Sequence, residues 1–196
     1  MDKEHSSEKA PEKKGFFDFF SAGRHQPVSE EEIKDMVAGA GELLDDEKRM
    51  IHDILDLRDL TAREIMKPRV DMILVEDTET GRAALERMRG TGYSRLPVYH
   101  DDMDAIVGIV HYKDLIGPLM DGRVDDPVTK FMYEPMFVPE TKDVIPLLSE
   151  MQEQRQQMAI VVDEYGGTDG LITVEDIVEE IVGEIADESD VGGELI

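Results

Sequence analysis

The pattern of apolar and polar positions is written twice along this chain. MILVEDTETGRAALERM (72–88) realigns with PMFVPETKDVIPLLSEM (135–151) at a constant offset of 63, pairing Val75 with Val138, Thr78 with Thr141, Leu85 with Leu148 and Met88 with Met151. The register continues as SRLPVYHD (94–101) over QMAIVVDE (157–164), then slips by one so that GIVHYKD (108–114) lies over GLITVED (170–176). The slip falls in a polar loop, where single deletions are tolerated. Within each copy, alternating and helical periods predict the order short strand, helix, strand, turn, strand, helix. In the first copy these are a strand over 72–75, a helix over 81–89, and a hairpin of 95–99 and 105–110 across HDDMD. In the second, the hairpin pairs 158–162 with 170–173 across DEYGGTD, and a last helix from Val174 buries Ile177, Val178, Ile181 and Ile185. Copies of roughly 60 residues are each small for an independent core, so they should pack against each other and leave two related clefts.

Two helices precede the repeat. Ser29 with Glu32 makes a capping-box start, and Ile33, Met36 and Val37 supply a stripe that Gly39 and Gly41 stop. Asp45 and Asp46 open the second, where Met50, Ile51, Ile54, Leu55 and Leu57 recur up to Arg58. Both are expected to lead into the repeat rather than belong to it. The organisation is then a disordered tail over 1–28, a helical lead-in over 29–60, the two copies over 61–122 and 123–188, and a tail over 189–196. Phe16, Phe17, Phe19 and Phe20 follow Lys13 and Lys14 inside the first tail. They either dock on the chain's own surface or anchor it to a partner or a membrane surface.

A net charge of -25 over 196 residues argues against nucleic acid or an anionic membrane as a bulk electrostatic partner, and favours cations. The absence of cysteine excludes disulfides, thiol nucleophiles and zinc–thiolate sites. No run approaches the ~20 apolar residues of a membrane span, and the N-terminus does not read as a signal peptide. The five histidines are scattered, and neither a P-loop nor a G-x-S-x-G is present, so no enzyme is expected. The acidic run His100, Asp101, Asp102 and Asp104 reads as a solvated hairpin tip or a divalent-ion chelator. Glu179, Glu180, Glu184, Asp187 and Glu188 oppose the dipole of the last helix, as a solvated face or one that meets a cation or basic partner.

GLITVED carries the chemistry. Thr173 and Asp176 can form a capping box, the hydroxyl taking the amide of residue 176 and the carboxylate reaching back. The same atoms also suit a nucleotide: amides at a helix N-terminus plus a hydroxyl seat a phosphate, and a nearby carboxylate accepts ribose hydroxyls.

The two copies resemble tandem CBS domains, the Bateman module, whose nucleotide motif GLITVED matches fully. MKPR (66–69), YSRLPVY (93–99), the stretch MAIVVDEYGGTDGLITVEDIVEEIVGEI (158–185), DDEKRMIHDI before the repeat and KKGFFDFF resemble the CorC/HlyC family associated with magnesium and cobalt efflux. The resemblance implies an α/β (α+β) fold, each CBS domain β-α-β-β-α. It implies a site in which Thr173 holds phosphate and Asp176 the ribose, while Met66, Pro68, Arg69, Tyr93, Arg95 and Pro97 line the base and phosphate side. Arg95 is the implied countercharge for a polyphosphate, although Tyr93 also suits a half-buried core position. In the twin site His111 stands where Ser or Thr is expected and Asp114 is retained, which implies weak or no occupancy. The ligand implied is ATP with magnesium, or AMP or ADP, the metal arriving on the phosphates rather than on protein ligands. Also implied are a homodimer, a membrane transporter partner, and a cytoplasmic location, with peripheral attachment at the inner face of the cell membrane. Relatives continue into a C-terminal transporter-associated domain and carry an N-terminal membrane domain. This chain stops at Ile196, read as truncated or as a shortened member. The function expected is regulatory nucleotide binding in magnesium or cobalt homeostasis. The alternatives are a scaffold that binds no nucleotide and a peripheral membrane adaptor.

Overall fold

The computed structural model describes residues 28–183. The Phe-rich segment, His5, His25, the acidic end beyond Gly183 and both predicted tails lie outside the described residues, apart from Val28. The chain divides into two compact units, Met1–Ala40 and Gly41–Ile196.

The first unit contains α1 (Glu30–Gly39). Its predicted cap is formed: Glu32 N donates to Ser29 Oγ at 3.2 Å, and Ser29 N donates to Glu32 Oε2 at 2.9 Å. No residue of α1 is buried.

The second unit opens with α2 (Asp45–Asp56), which runs into a 3-10 turn at Leu57–Asp59, and α3 (Ala62–Ile65) follows. The first copy comprises β2 (Val75–Glu76), α4 (Gly81–Thr91), β3 (Arg95–His100), β4 (Asp102–His111) and α5 (Tyr112–Met120). The second comprises β6 (Met136–Pro139), α6 (Val144–Gln154), β7 (Met158–Val162), β8 (Thr168–Thr173) and α7 (Val174–Val182). In both, a parallel pair joins the first strand to the second, and an antiparallel hairpin follows. Among the described residues no helix is long and apolar enough to cross a membrane.

The copies are more entangled than a β-α-β-β-α reading allows. Strand β1 (Lys67–Pro68) precedes the first copy yet pairs with β8, giving one sheet the order β1-β8-β7-β6. Strand β5 (Met132–Tyr133) pairs back onto β4, giving the other the order β2-β3-β4-β5. The glycine that opens each seven-residue motif makes these crossings possible. A Cβ on Gly170 would collide with the carbonyl of Lys67 and stand 2.8 Å from Met66 Sδ; one on Gly108 would collide with Met132 Sδ and stand 2.7 Å from its Cγ. Real Cβ contacts do not approach so closely: at Gly170 the obstacle is backbone, so β1 needs glycine beneath it, whereas at Gly108 it is the flexible Met132 side chain.

Two further expectations are corrected and one is extended. Of 72–75 only Val75 pairs, and it does so as part of β2, because Met72 and Leu74 turn into the core between the copies with Ile109, Met158, Ile160 and Leu171. The loop HDDMD shrinks to Asp101, whose φ of 56° closes a tight turn, and register shifts on either side of Tyr99 absorb the mismatch. The second lead-in helix precedes the repeat but packs against it: α2 lies on α7, and Leu57, 1% exposed, sits in the second copy's core with Leu147, Met151 and Ile177. Its amphipathic stripe covers a helix more than a hundred residues away in sequence.

Candidate functional site

Strand β8 delivers Thr173 to the first turn of α7, and strand β3 starts at Arg95 after the loop that ends α4. Between them, floored by β1, lies a cleft of about 290 Å³. The capping box read from the sequence is closed. Asp176 N donates to Thr173 Oγ1 at 3.1 Å, while Thr173 N and Thr173 Oγ1 both donate to Asp176 Oδ2 at 2.7 Å. Both side chains nonetheless line the cleft, and Oδ1 of Asp176 takes part in none of these bonds. The structural and the ligand-binding readings of this motif are therefore compatible in one geometry.

Of the residues expected on the base and phosphate side, Tyr93, Arg95 and Pro97 line the cleft; Met66, Pro68 and Arg69 do not. Lys67 takes that wall instead. Side chains alternate along extended chain, so the two neighbours of Lys67 turn elsewhere. Met66 packs on the second copy's core, and Pro68 is exposed opposite Gly170. The Arg69 guanidinium is spent at the hairpin tip, 2.5 Å from Asp104 Oδ1 and 3.6 Å from Asp102 Oδ1. Asp104 Oδ1 also accepts from Thr168 N at 3.1 Å, which ties the two copies' hairpins together.

Tyr93 is 41% exposed, and Lys67 Nζ lies over its ring, 5.4 Å from the centroid and 3.3 Å from the phenol oxygen. Arg95 keeps 19% of its side chain exposed, and its Nη1 is 3.6 Å from Glu175 Oε1. Met158 and Leu171 supply apolar walls from the core between the copies, and Ile73 supplies one from the edge of the first copy's core. Sequence reasoning missed these three, with Lys67 and Glu175. Lys67 and Glu175 sat inside quoted motifs, whereas nothing in the sequence marks three ordinary core residues as a slot.

The twin residues His111 and Asp114 line a second cleft of about 270 Å³. His111, 7% exposed, caps α5 by accepting from Lys113 N at Nδ1, 3.0 Å away, as the Thr173 hydroxyl caps α7. Burial pushes its pKa below the ordinary value, and the charges of Arg95 and Lys113 add to that. Among the described residues no group of three or more His, Asp or Glu side chains is placed to hold a metal ion.

Comparison with known proteins agrees with this architecture. The CBS domain model matches residues 62–121 and 128–183. A UPF0053 protein of Mycobacterium bovis is 43% identical over 81% of this chain, which spans 37% of that protein. The magnesium and cobalt efflux protein CorC of Salmonella typhimurium is 38% identical over 96% of this chain, which spans 66% of CorC. The solved CBS domain of the bacterial CNNM/CorC family Mg2+ transporter is 46% identical, with TM-score 0.76 over 82% of this chain and 99% of its own. Its complex with ATP gives TM-score 0.68 over 71% of this chain and 99% of its own, again at 46% identity. The chain belongs to the CBS-domain family, as a tandem pair of the CNNM/CorC type.

Proposed function

We propose that this chain is a regulatory module whose first cleft binds ATP together with Mg2+. The observation that carries the reading is the convergence in one cleft of Thr173, Asp176 and the N-terminus of α7 from the second copy with Tyr93 and Arg95 from the first. The volume is close to the ~300 Å³ at which small-molecule pockets begin, which suits a nucleoside with its phosphates reaching outward. Adenine fits between Ile73, Met158 and Leu171; Asp176 accepts from the ribose hydroxyls; Thr173 and the first amides of α7 meet the phosphates, and Arg95 neutralises them. That the solved CNNM/CorC CBS domain was obtained in complex with ATP supports the choice of ligand.

Magnesium enters through charge. Glu175 faces Arg95 in the cleft. A bare polyphosphate would have to displace that carboxylate and then lie beside it. A divalent ion on the phosphates turns this repulsion into attraction. No protein metal cluster is needed.

Because the residues converge from both copies, occupancy couples to the angle between them and is transmitted only as far as ligand affinity differs between two arrangements. We assign the readout to a homodimer and to a transporter partner in magnesium or cobalt homeostasis, met at the inner face of the membrane. The role is binding, not catalysis. The self-satisfied Thr173–Asp176 box favours one competing reading, a scaffold that binds no nucleotide.

Thermal unfolding separates the two. Binding to the native state alone stabilises by RT ln(1 + [L]/Kd), about 2.7 kcal/mol at a hundredfold excess over Kd. Mg2+ with ATP should therefore raise the Tm of the wild-type chain and leave Asp176→Ala unmoved; an unmoved wild type supports the scaffold.

A further inference from the structure

The two clefts occupy equivalent places in the repeat, so their differences can be read position by position. Lys113 stands where the first cleft has Glu175, and His111 where it has Thr173. Gln156 stands where the first cleft has Tyr93, and Arg155 where it has Gly92. The carboxylate that repels phosphate has become an ammonium. The ring that can stack on a base has become an amide. The glycine has become an arginine.

The last exchange is the most telling. Gly92 and Arg155 both end their helices in the left-handed region, at φ 78° and 56°. That conformation favours glycine and is unfavourable for a residue with a Cβ. An arginine held there puts its guanidinium at the mouth of the twin cleft at a cost in backbone strain. Neither Lys113 nor Arg155 takes part in an ion pair among the described residues, and Arg95 lines this cleft as well as the first. In a chain of net charge -25, the unpaired Lys113 and Arg155 converge here with Arg95, which also faces Glu175, and Asp114 is the one carboxylate in the lining.

His111 adds a directed donor. Its Nδ1 accepts the Lys113 amide, so the neutral ring carries its proton on Nε2. No protein acceptor meets Nε2 among the described residues, although the side chain is only 7% exposed. An N–H donor without a protein acceptor, on a side chain that lines a cavity ringed by Arg95, Lys113 and Arg155, is complementary to an oxyanion.

We propose that the twin cleft is a phosphate-class oxyanion site, held by Arg155, Lys113, Arg95 and His111, that takes its ligand without a nucleoside and without Mg2+. Adenosine is disfavoured there, since Gln156 replaces the Tyr93 ring and, Tyr133 and His111 apart, the lining is made of charged and amide side chains. Inorganic phosphates and the phosphate tail of a nucleotide held in the first cleft share the chemistry recognised, and Arg95 borders both clefts.

Calorimetric titration of inorganic pyrophosphate into the full chain, with a chelator in place of Mg2+, tests the site. Saturable binding of one anion per chain is expected, weakened roughly tenfold or more by Arg155→Gly or Lys113→Gln, as for the loss of a charge-assisted contact, and unchanged by Asp176→Ala. Arg155→Gly relieves the left-handed strain, so it keeps the fold and isolates the charge. Pyrophosphate binding that vanishes once the chain is saturated with Mg2+ and ATP names the nucleotide tail as the source; binding that persists names a free anion. Absence of binding, binding indifferent to both Arg155→Gly and Lys113→Gln, competition by adenosine, or loss in Asp176→Ala would overturn the assignment. Pyrophosphate carries no nucleoside, so this test and that of the first cleft fail independently.

Discussion

Arg95, from the first copy's central hairpin, and Glu175, from the first turn of the second copy's last helix, face each other across the copy boundary with Nη1 3.6 Å from Oε1. The contact joins two elements eighty residues apart in sequence and sits where a polyphosphate would lie. If a bound polyphosphate breaks it, the charge on the phosphates becomes decisive. Glu175→Gln should therefore bind ATP in the absence of Mg2+ more tightly than wild type does, while the wild type keeps a strong magnesium requirement. Parallel titrations with Mg2+ and with a chelator measure this; an equal magnesium requirement in both proteins would remove Glu175 from the phosphate environment.

Thr173 caps α7 and lines the cleft, so Thr173→Ile should act twice. Loss of the cap costs about 1 kcal/mol of stability, a shift that leaves the chain folded. The hydroxyl lost from the phosphate seat should abolish ATP binding. Circular dichroism and calorimetry on one sample check both. Full affinity in the variant would leave Thr173 a cap and nothing more.

Gly170 lies under the crossing of β1 and β8, where a methyl group meets the Lys67 carbonyl and Met66. Gly170→Ala should destabilise by about 1–3 kcal/mol through overpacking. Gly90, in α4 with open space around it, is the control: alanine there should stabilise by about 0.5–1 kcal/mol. Urea midpoints compare the two, and equal shifts would argue against strand exchange as the reason for the motif's glycine.

The two central histidines should titrate in opposite directions from the ordinary value of 6.5. Hydrogen bonding to Asp77, Nδ1 to Oδ2 at 2.7 Å, with the charges of Asp101 and Asp77, raises the pKa of His100. Burial, with Arg95 and Lys113, lowers that of His111. A raised folded-state value means that the His100 contribution is fully present below pH 6.5 and fades as pH rises through that value. A lowered value means that the unfolded chain binds the extra proton first, so His111 costs stability as pH falls below 6.5 toward its folded-state pKa. Ring-proton NMR titration resolves the two, and Asp77→Asn should return His100 toward 6.5. Histidines that titrate together would contradict both environments.

Much of this was legible in the sequence because duplication supplies its own control: a strand or helix seen once is checked by its partner at an offset of 63. The seven-residue motifs placed Thr173, Asp176, His111 and Asp114 correctly at strand-to-helix turns. Strand exchange was not legible, since β1 and β5 are two residues each and no periodicity can be read from two positions. The same limit misplaced the β1 wall, where one residue of register separates Lys67 in the cleft from Pro68 and Met66 outside it. Arg69 went astray for another reason. Its partners Asp102 and Asp104 lie at the tip of a different hairpin, and charge pairing across a fold leaves no local signature. The Phe16–Phe20 segment lies beyond the described residues.

The proposed role of the first cleft is that of a magnesium-dependent ATP site built from both copies. Isothermal titration of ATP into the full chain, with and without Mg2+, beside AMP, ADP and the Asp176→Ala variant, addresses it most directly. Saturable one-to-one binding of ATP that requires Mg2+ and is lost in Asp176→Ala is expected. No heat from any nucleotide in a chain shown to be folded, or undiminished binding in the variant, would contradict it.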